Sequence, residues 1–172
     1  MPWAGLSSQY ENTHDALTGL YNRAYFDEEL ERLAQSAMFP MSLVMADVNE
    51  LKGVNDALGH AAGDELIKMA ARVIRRAFRT KDIVSRIGGD EFAVILPQTA
   101  TSVARETVRR IMNCPEVANG QVSIAFGIAT AKDRDQLRDT LKLSDERMYR
   151  EKSEQKQSQP EVPEDQGGGG TP

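Results

Sequence analysis

A continuous, largely apolar run, Met41 to Ala46, closes on the carboxylate of Asp47 and constrains this chain more than any other feature. A strand that lacks polar alternation has no wet face, so this segment predicts a strand covered on both sides. Two further apolar segments, Ile83 to Ile87 and Glu91 to Leu96, flank Gly88-Gly89 and read as a β-hairpin. Val122, Ile124, Phe126 and Ile128 alternate with Ser123, Ala125 and Gly127, the pattern of a half-buried strand. Helical spacing fills the gaps. Asn22 is an N-cap for a helix to about Ala37, with Phe26, Leu30, Leu33 and Ala37 on one face, and Pro40 stops it. Gly63-Asp64 opens a long helix to about Arg79, with Leu66, Ala70, Val73, Ile74, Ala77 and Phe78 as its apolar stripe. A helix over about Thr101 to Met112 follows, and Leu137, Leu141, Ser144 and Met148 mark a last one ending near Lys152. The order β-α-β-β-α-β plus flanking helices predicts an α+β fold. Its core is ferredoxin-like, a mainly antiparallel central sheet with helices packed on one face.

A chain of 172 residues fits one domain with short tails. Its net charge of −5 lacks the basic surplus of a general nucleic-acid binder. Cys114 is the only cysteine, which excludes an internal disulfide and a thiolate zinc site and suits a reducing compartment. No apolar run approaches the roughly 20 residues of a membrane helix, and the first residues do not read as a signal peptide. The segment is expected to be cytoplasmic, without membrane contact. Residues 1–14 read as a lead-in or linker stub, 15–152 as the folded unit, and 153–172 as a disordered tail of Gln, Glu, Ser, Pro and Gly.

The candidate chemistry is carried by acids and lysines. Asp47 ends the first strand, and Asp90 and Glu91 follow the glycine pair. In the expected sheet those strand ends are neighbours. Carboxylates brought so close repel unless a cation lies between them, and magnesium prefers such oxygen ligands. Asp90 and Glu91 equally suit an ordinary turn. Gly88-Gly89 supplies either turn geometry or a close backbone approach to a ligand. Asn55, His60 and Asp64 lie between the first strand and the long helix. Asn and ionised Asp can pair with a guanine edge, while Asp64 also suits a helix N-terminus and His60 a loop. Lys52 and Lys152 are either solvated charges or point charges for phosphate.

Taken together, these segments resemble the GGDEF family of diguanylate cyclases. Asp15-Ala16-Leu17-Thr18-Gly19-Leu20-Tyr21-Asn22-Arg23 is similar to its D-x-L-T-G-L-x-N-R entry segment, and Asp47-Val48-Asn49-Glu50-Leu51-Lys52 to its D-I-D-x-F-K. Asn55 to Asp64 is similar to N-D-x-x-G-H-x-x-G-D, and Gly88-Gly89-Asp90-Glu91-Phe92 is the signature intact. Ser123 to Ile128 and Ser144 to Lys152 resemble the closing segments, so the likeness covers about residues 15 to 152.

The resemblance implies the condensation of two GTP molecules into cyclic di-GMP with release of pyrophosphate. Two Mg²⁺ (or Mn²⁺) ions per half-site would be held by Asp47, Asp90 and the Val48 carbonyl, with Glu91 assisting. Asp90 would help deprotonate the 3′-hydroxyl. Asn55 and Asp64 would read guanine, His60 would contact the nucleotide, and Lys52 and Lys152 would hold phosphates. Each domain would bind one GTP, so a homodimer is required, and no nucleic acid takes part. Arg79-Thr80-Lys81-Asp82 looks like the family's R-x-x-D product-inhibition site, to which Arg110 would add a second arginine. Three departures stand out. Asn49 replaces the usual Asp, Leu51 replaces the usual Phe, and Ser153-Glu154-Gln155-Lys156 follows Lys152 where the family has G-R-N, with Lys156 in place of a phosphate-binding arginine. The competing reading is a GGDEF domain of weak or no turnover that binds GTP or cyclic di-GMP. A third is another palm-like nucleotidyl enzyme.

Overall fold

A computed structural model describes residues 3–159, with side chains from Ser8 onward. The helices are α1 (Trp3–Thr13), α2 (Arg23–Ala34), α3 (Leu51–Leu58), α4 (His60–Ala77), α5 (Thr101–Met112), the short α6 (Pro115–Ala118) and α7 (Leu137–Gln157). The strands are β1 (Met41–Val48), β2 (Ile83–Arg86), β3 (Glu91–Leu96) and β4 (Ile124–Ala131). They form one sheet in the order β2-β3-β1-β4, and every pairing is antiparallel. The α+β, ferredoxin-like expectation therefore holds.

β1 is central, and all eight of its residues are buried, as its apolar run predicted. Its alternate side chains enter two separate cores. Val44, Ala46 and Val48 join Phe92, Val94, Leu96, Ile124 and Phe126 under α4 and α5. Leu43 and Met45 join Ala93, Ile95 and Ala125 under α2 and α7. The helices thus cover both faces of the sheet rather than one. A strand with no polar face needs that second cover.

The same fact corrects the reading of β4. It is not half-buried, and six of its eight residues are buried. Its alternation is one of size rather than polarity. Ile124 and Phe126 fill the α4/α5 core, whereas Ala125 and Gly127 leave room for α7. A Cβ on Gly127 would lie 1.9 Å from the Ser144 carbonyl oxygen and 2.2 Å from the Met148 nitrogen. Only glycine permits this approach.

Several boundaries differ from the expectation. α3 occupies the stretch read as a loop, and α4 begins at His60, three residues before Gly63. Gly53 and Gly59 interrupt the periodicity here, and α3 has no buried side chain to mark it. The lead-in carries α1, whose last turn pairs with the α1–α2 connection through Asn22 N–H to the Thr13 carbonyl. Asn22 caps α2 as expected, accepting from the Tyr25 amide at 2.9 Å. α7 continues five residues beyond Lys152, to Gln157, because no glycine follows to end it. Residues 153–157, expected as the start of a disordered tail, are therefore helical. Its remaining residues, 160–172, lie outside the described residues.

Candidate active site

The end of β1 and the turn leading into β3 build the site. β1 and β3 pair with Asp47 opposite Glu91, and the Val48 amide donates to the Asp90 carbonyl at 2.9 Å. The glycine turn is thereby stapled to the end of β1. One carboxylate oxygen from each of Asp47, Asp90 and Glu91 lies within 4.8 Å of the others. Lys152 of α7 reaches into this cluster, 2.6 Å from Asp47 Oδ1 and 3.9 Å from Asp90 Oδ2. Burial pushes the Asp47 carboxyl up. The Lys152 hydrogen bond opposes that, the charges of Asp90 and Glu91 reinforce it, and the net result is a carboxyl above its ordinary value. A cluster that already recruits an ammonium, and still disfavours its own charge, fits a hard divalent cation with oxygen ligands.

The turn has a second support that the sequence reading left without a role. Arg86 donates to the Gly89 carbonyl at 2.8 Å and pairs with Asp15 at 3.2 Å. Asp15 also accepts from the Thr18 amide and hydroxyl, at 2.9 and 2.7 Å. Burial alone would raise the Asp15 carboxyl, but the Thr18 and Arg86 contacts outweigh it and hold the group below its ordinary value. The Asp15-to-Arg23 segment is thus fastened to the glycine turn through one part-buried ion pair. An arginine two residues before Gly88 and an aspartate opening the first segment were the available signals.

Beside the carboxylates, Asn49, Glu50, Gly53, Lys152, Gln155 and Lys156 line a cavity of about 340 Å³. It opens at the N-terminus of α3, whose first helical bond runs from the Val54 amide to the Glu50 carbonyl. The preceding amides have no partner within the helix, which makes such an end a natural anion seat. Lys152 and Lys156, one helical turn apart on α7, bring two positive charges to the same wall.

Asn55 and Gly63 meet where α3 packs on α4. A Cβ on Gly63 would lie 1.8 Å from Asn55 Oδ1, so the bare glycine lets that amide close over α4 next to Asp64. Asp64 and His60 are exposed in the first turns of α4, and Lys52 is exposed on α3.

Asn55 thus lies against Gly63, one residue before Asp64, and among the described residues Asn55, Asp64, Lys52 and His60 share no side-chain hydrogen bond or ion pair. The Arg79–Asp82 pair lies elsewhere, between α4 and β2. Asp82 is buried, its side chain 1% exposed, and is held by the Arg79 amide at 2.8 Å and guanidinium at 3.2 Å. Arg79 also donates to Thr99. Arg110 is exposed on α5 and reaches only Thr107, at 3.4 Å. Among the described residues it shares no hydrogen bond or ion pair with Arg79 or Asp82.

Comparison with known proteins gives a consistent answer. The family model described as diguanylate cyclase, GGDEF domain, matches residues 12–158. The chain is 40% identical over 144 residues to a probable diguanylate cyclase, DgcJ, of Escherichia coli, covering 81% of this chain and 29% of that protein. It is 36% identical over 152 residues to the response regulator PleD of Caulobacter vibrioides, covering 81% of this chain and 34% of PleD. The chain thus spans about a third of the length of these relatives. Among solved structures, the coiled coil and GGDEF domain of DgcB from Caulobacter crescentus, in complex with c-di-GMP, superposes with a TM-score of 0.81 at 29% identity, covering 89% of this chain and 87% of that one.

Proposed function

The chain belongs to the GGDEF family, and on that premise we propose that it is a diguanylate cyclase domain that joins two GTP molecules into cyclic di-GMP and releases two pyrophosphates. The observation that carries this reading is the convergence of Asp47, Asp90 and Glu91 beside a lysine-lined cavity. That is the arrangement a metal-bound triphosphate needs.

Asp47 and Asp90 would hold Mg²⁺ or Mn²⁺, with the Val48 carbonyl and Glu91 completing the oxygen set. Once bound, such ions lower the pKa of a 3′-hydroxyl and neutralise a departing pyrophosphate. The protein supplies the rest. Lys152 bonds the Asp47 carboxylate; with metal on those oxygens its ammonium would hold the phosphates in the cavity. Lys156 adds a second charge there, in place of the family's arginine, and Lys52 a third from α3. Asn55 and Asp64 read the guanine edge, with His60 beside the nucleotide, and the bare Gly88-Gly89 backbone lets the ribose approach. Asp90 helps remove the 3′-proton. The arrangement holds one GTP, so two domains must face each other as a homodimer for both phosphodiester bonds to form. Cyclic di-GMP returns as an inhibitor at Arg79 and Asp82, with Arg110 joining once Arg79 swings away from the buried Asp82. The reaction is assigned to the cytoplasm, which suits a lone cysteine; among the described residues no helix is long and apolar enough to cross a membrane.

Incubation with GTP and Mg²⁺, with the product identified, tests the reading. The rate is expected to rise faster than linearly with protein concentration. Strict proportionality would remove the dimer, and GTP or cyclic di-GMP binding with no cyclic product would favour a binding module.

A further inference from the structure

The end of α7 is tied to the sheet by one side chain that no part of the reading above uses. Gln155 donates from Nε2 to the Ile124 carbonyl at 3.2 Å and to Glu151 Oε1 at 3.2 Å. Its Oε1 accepts from Asn49 Nδ2 at 2.6 Å. Asn49 gives its other amide proton to Ser123 Oγ at 2.9 Å, and its backbone N–H bonds the Ser123 carbonyl at 2.9 Å. The end of β1, the start of β4 and the last turns of α7 therefore meet in one chain of directed hydrogen bonds.

The direction is set from the strand. The Ile124 carbonyl can only accept, so Gln155 must present its NH₂ group there. That leaves Oε1 facing Asn49, and position 49 must donate. An aspartate at 49 would set acceptor against acceptor, or turn Gln155 so that its oxygen faced the Ile124 carbonyl. Either arrangement leaves a part-buried polar group unpaired. These are two of the places where the sequence departs from the family pattern: Asn49 stands for Asp, and Gln155 lies in the stretch that replaces G-R-N. The departures compensate each other in space.

Resting on the triphosphate reading given above, we propose that Asn49 and Gln155 are a positioning pair that fixes the last turn of α7 and so aims Lys156 into the phosphate cavity. Lys152 is anchored independently by Asp47. Lys156 is one turn further on, has no ion pair among the described residues, and lines the cavity only while that turn is held. Beyond Glu151, which accepts from the Phe126 amide at 3.4 Å, Gln155 is the last described residue of α7 bonded to the sheet.

The test is calorimetric titration of the full chain with the α,β-methylene analogue of GTP in Mg²⁺, alongside GMP, which lacks the outer phosphates. Gln155→Ala and the isosteric Asn49→Asp are each expected to weaken the analogue about tenfold, the scale of one charge-assisted contact, and to leave GMP unchanged. Lys156→Ala is expected to cost about tenfold alone but less than about twofold when added to Gln155→Ala. Independent, multiplying losses for Lys156→Ala and Gln155→Ala, or equal losses for GMP and the analogue, would overturn the pair while leaving the triphosphate reading intact. A wild-type protein that binds the analogue no better than GMP would overturn both.

Discussion

Gly63→Ala separates base recognition from fold stability. The added methyl group would lie 1.8 Å from Asn55 Oδ1, 2.8 Å from Asn55 Cγ and 3.2 Å from Leu51 Cδ1. The first two contacts are with the far end of one flexible side chain, so Asn55 turns away and the backbone stays. Leu51 shifts by a few tenths of an ångström. Alanine for glycine within a helix returns about 0.8–1 kcal/mol, which offsets the lost Asn55 packing, so Tm is expected to stay within about 3 °C of wild type. On the proposed role of Asn55, the nucleotide would lose that amide from its guanine edge. One hydrogen bond to a buried partner corresponds to about 1–3 kcal/mol, or about a 5- to 150-fold rise in the KM for GTP. Discrimination against ATP should shrink by a similar factor. Pyrophosphate release measured against GTP and ATP concentration, with a melting curve on the same samples, reads all three quantities. An unchanged KM with an unchanged Tm would mean that Asn55 does not touch the base. A collapsed Tm would mean that the side chain cannot vacate the space, and the structural reasoning would fail.

Gly127→Ala should do the reverse: its methyl meets the α7 backbone at 1.9 and 2.2 Å, α7 must back away from β4, and a loss of about 3 kcal/mol lowers Tm by about 6–12 °C. Asp90→Ala should abolish cyclic di-GMP formation while the melting curve stays near wild type, because its side chain is part-exposed in the turn; residual turnover above a few per cent would argue against its role. Asp47→Asn should also abolish turnover, yet raise the metal-free Tm at neutral pH. With a folded value above the unfolded 3.8, Asp47 binds its proton more tightly in the folded state, so the metal-free protein loses stability as pH rises from about 3.8 through that folded value. The advantage of the amide variant should therefore narrow toward pH 4, and a pH-independent difference in melting curves would contradict the raised carboxyl. Arg79→Ala should relieve inhibition by added cyclic di-GMP and leave the initial rate intact; inhibition unchanged in a product-titration assay would make Arg79–Asp82 a purely structural clasp of the α4–β2 turn.

Much of the molecule is written locally. The unbroken run of Met41 to Ala46, the glycine pair between two apolar strands and the Asn22 cap depend on near neighbours in the chain, so strand order, hairpin and helix start were readable at once. The acidic cluster was legible for a related reason: ends of antiparallel neighbours must lie side by side, which puts Asp47 beside Glu91 once the order of strands is known. What distant segments settle was not readable. Alternation in β4 signals either a wet face or a second helix layer, and only the close approach of α7 to Gly127 distinguishes them. Whether Arg79 and Asp82 are open to a ligand or closed on each other depends on how the α4–β2 turn packs, which their spacing does not report. The Asn49–Gln155 bond joins residues 106 positions apart, and the polarity that demands an amide at each end originates in a third segment, at the Ile124 carbonyl. Periodicity and turn chemistry act over a few residues, so the sequence alone determined the four strands, the helices α2, α4, α5 and α7 and their order, whereas α1 and α3, which buries no side chain, escaped it. Hydrogen-bond direction, burial and charge balance are set by groups that meet only after the chain has packed, so tertiary structure alone decided which of the candidate side chains share one site.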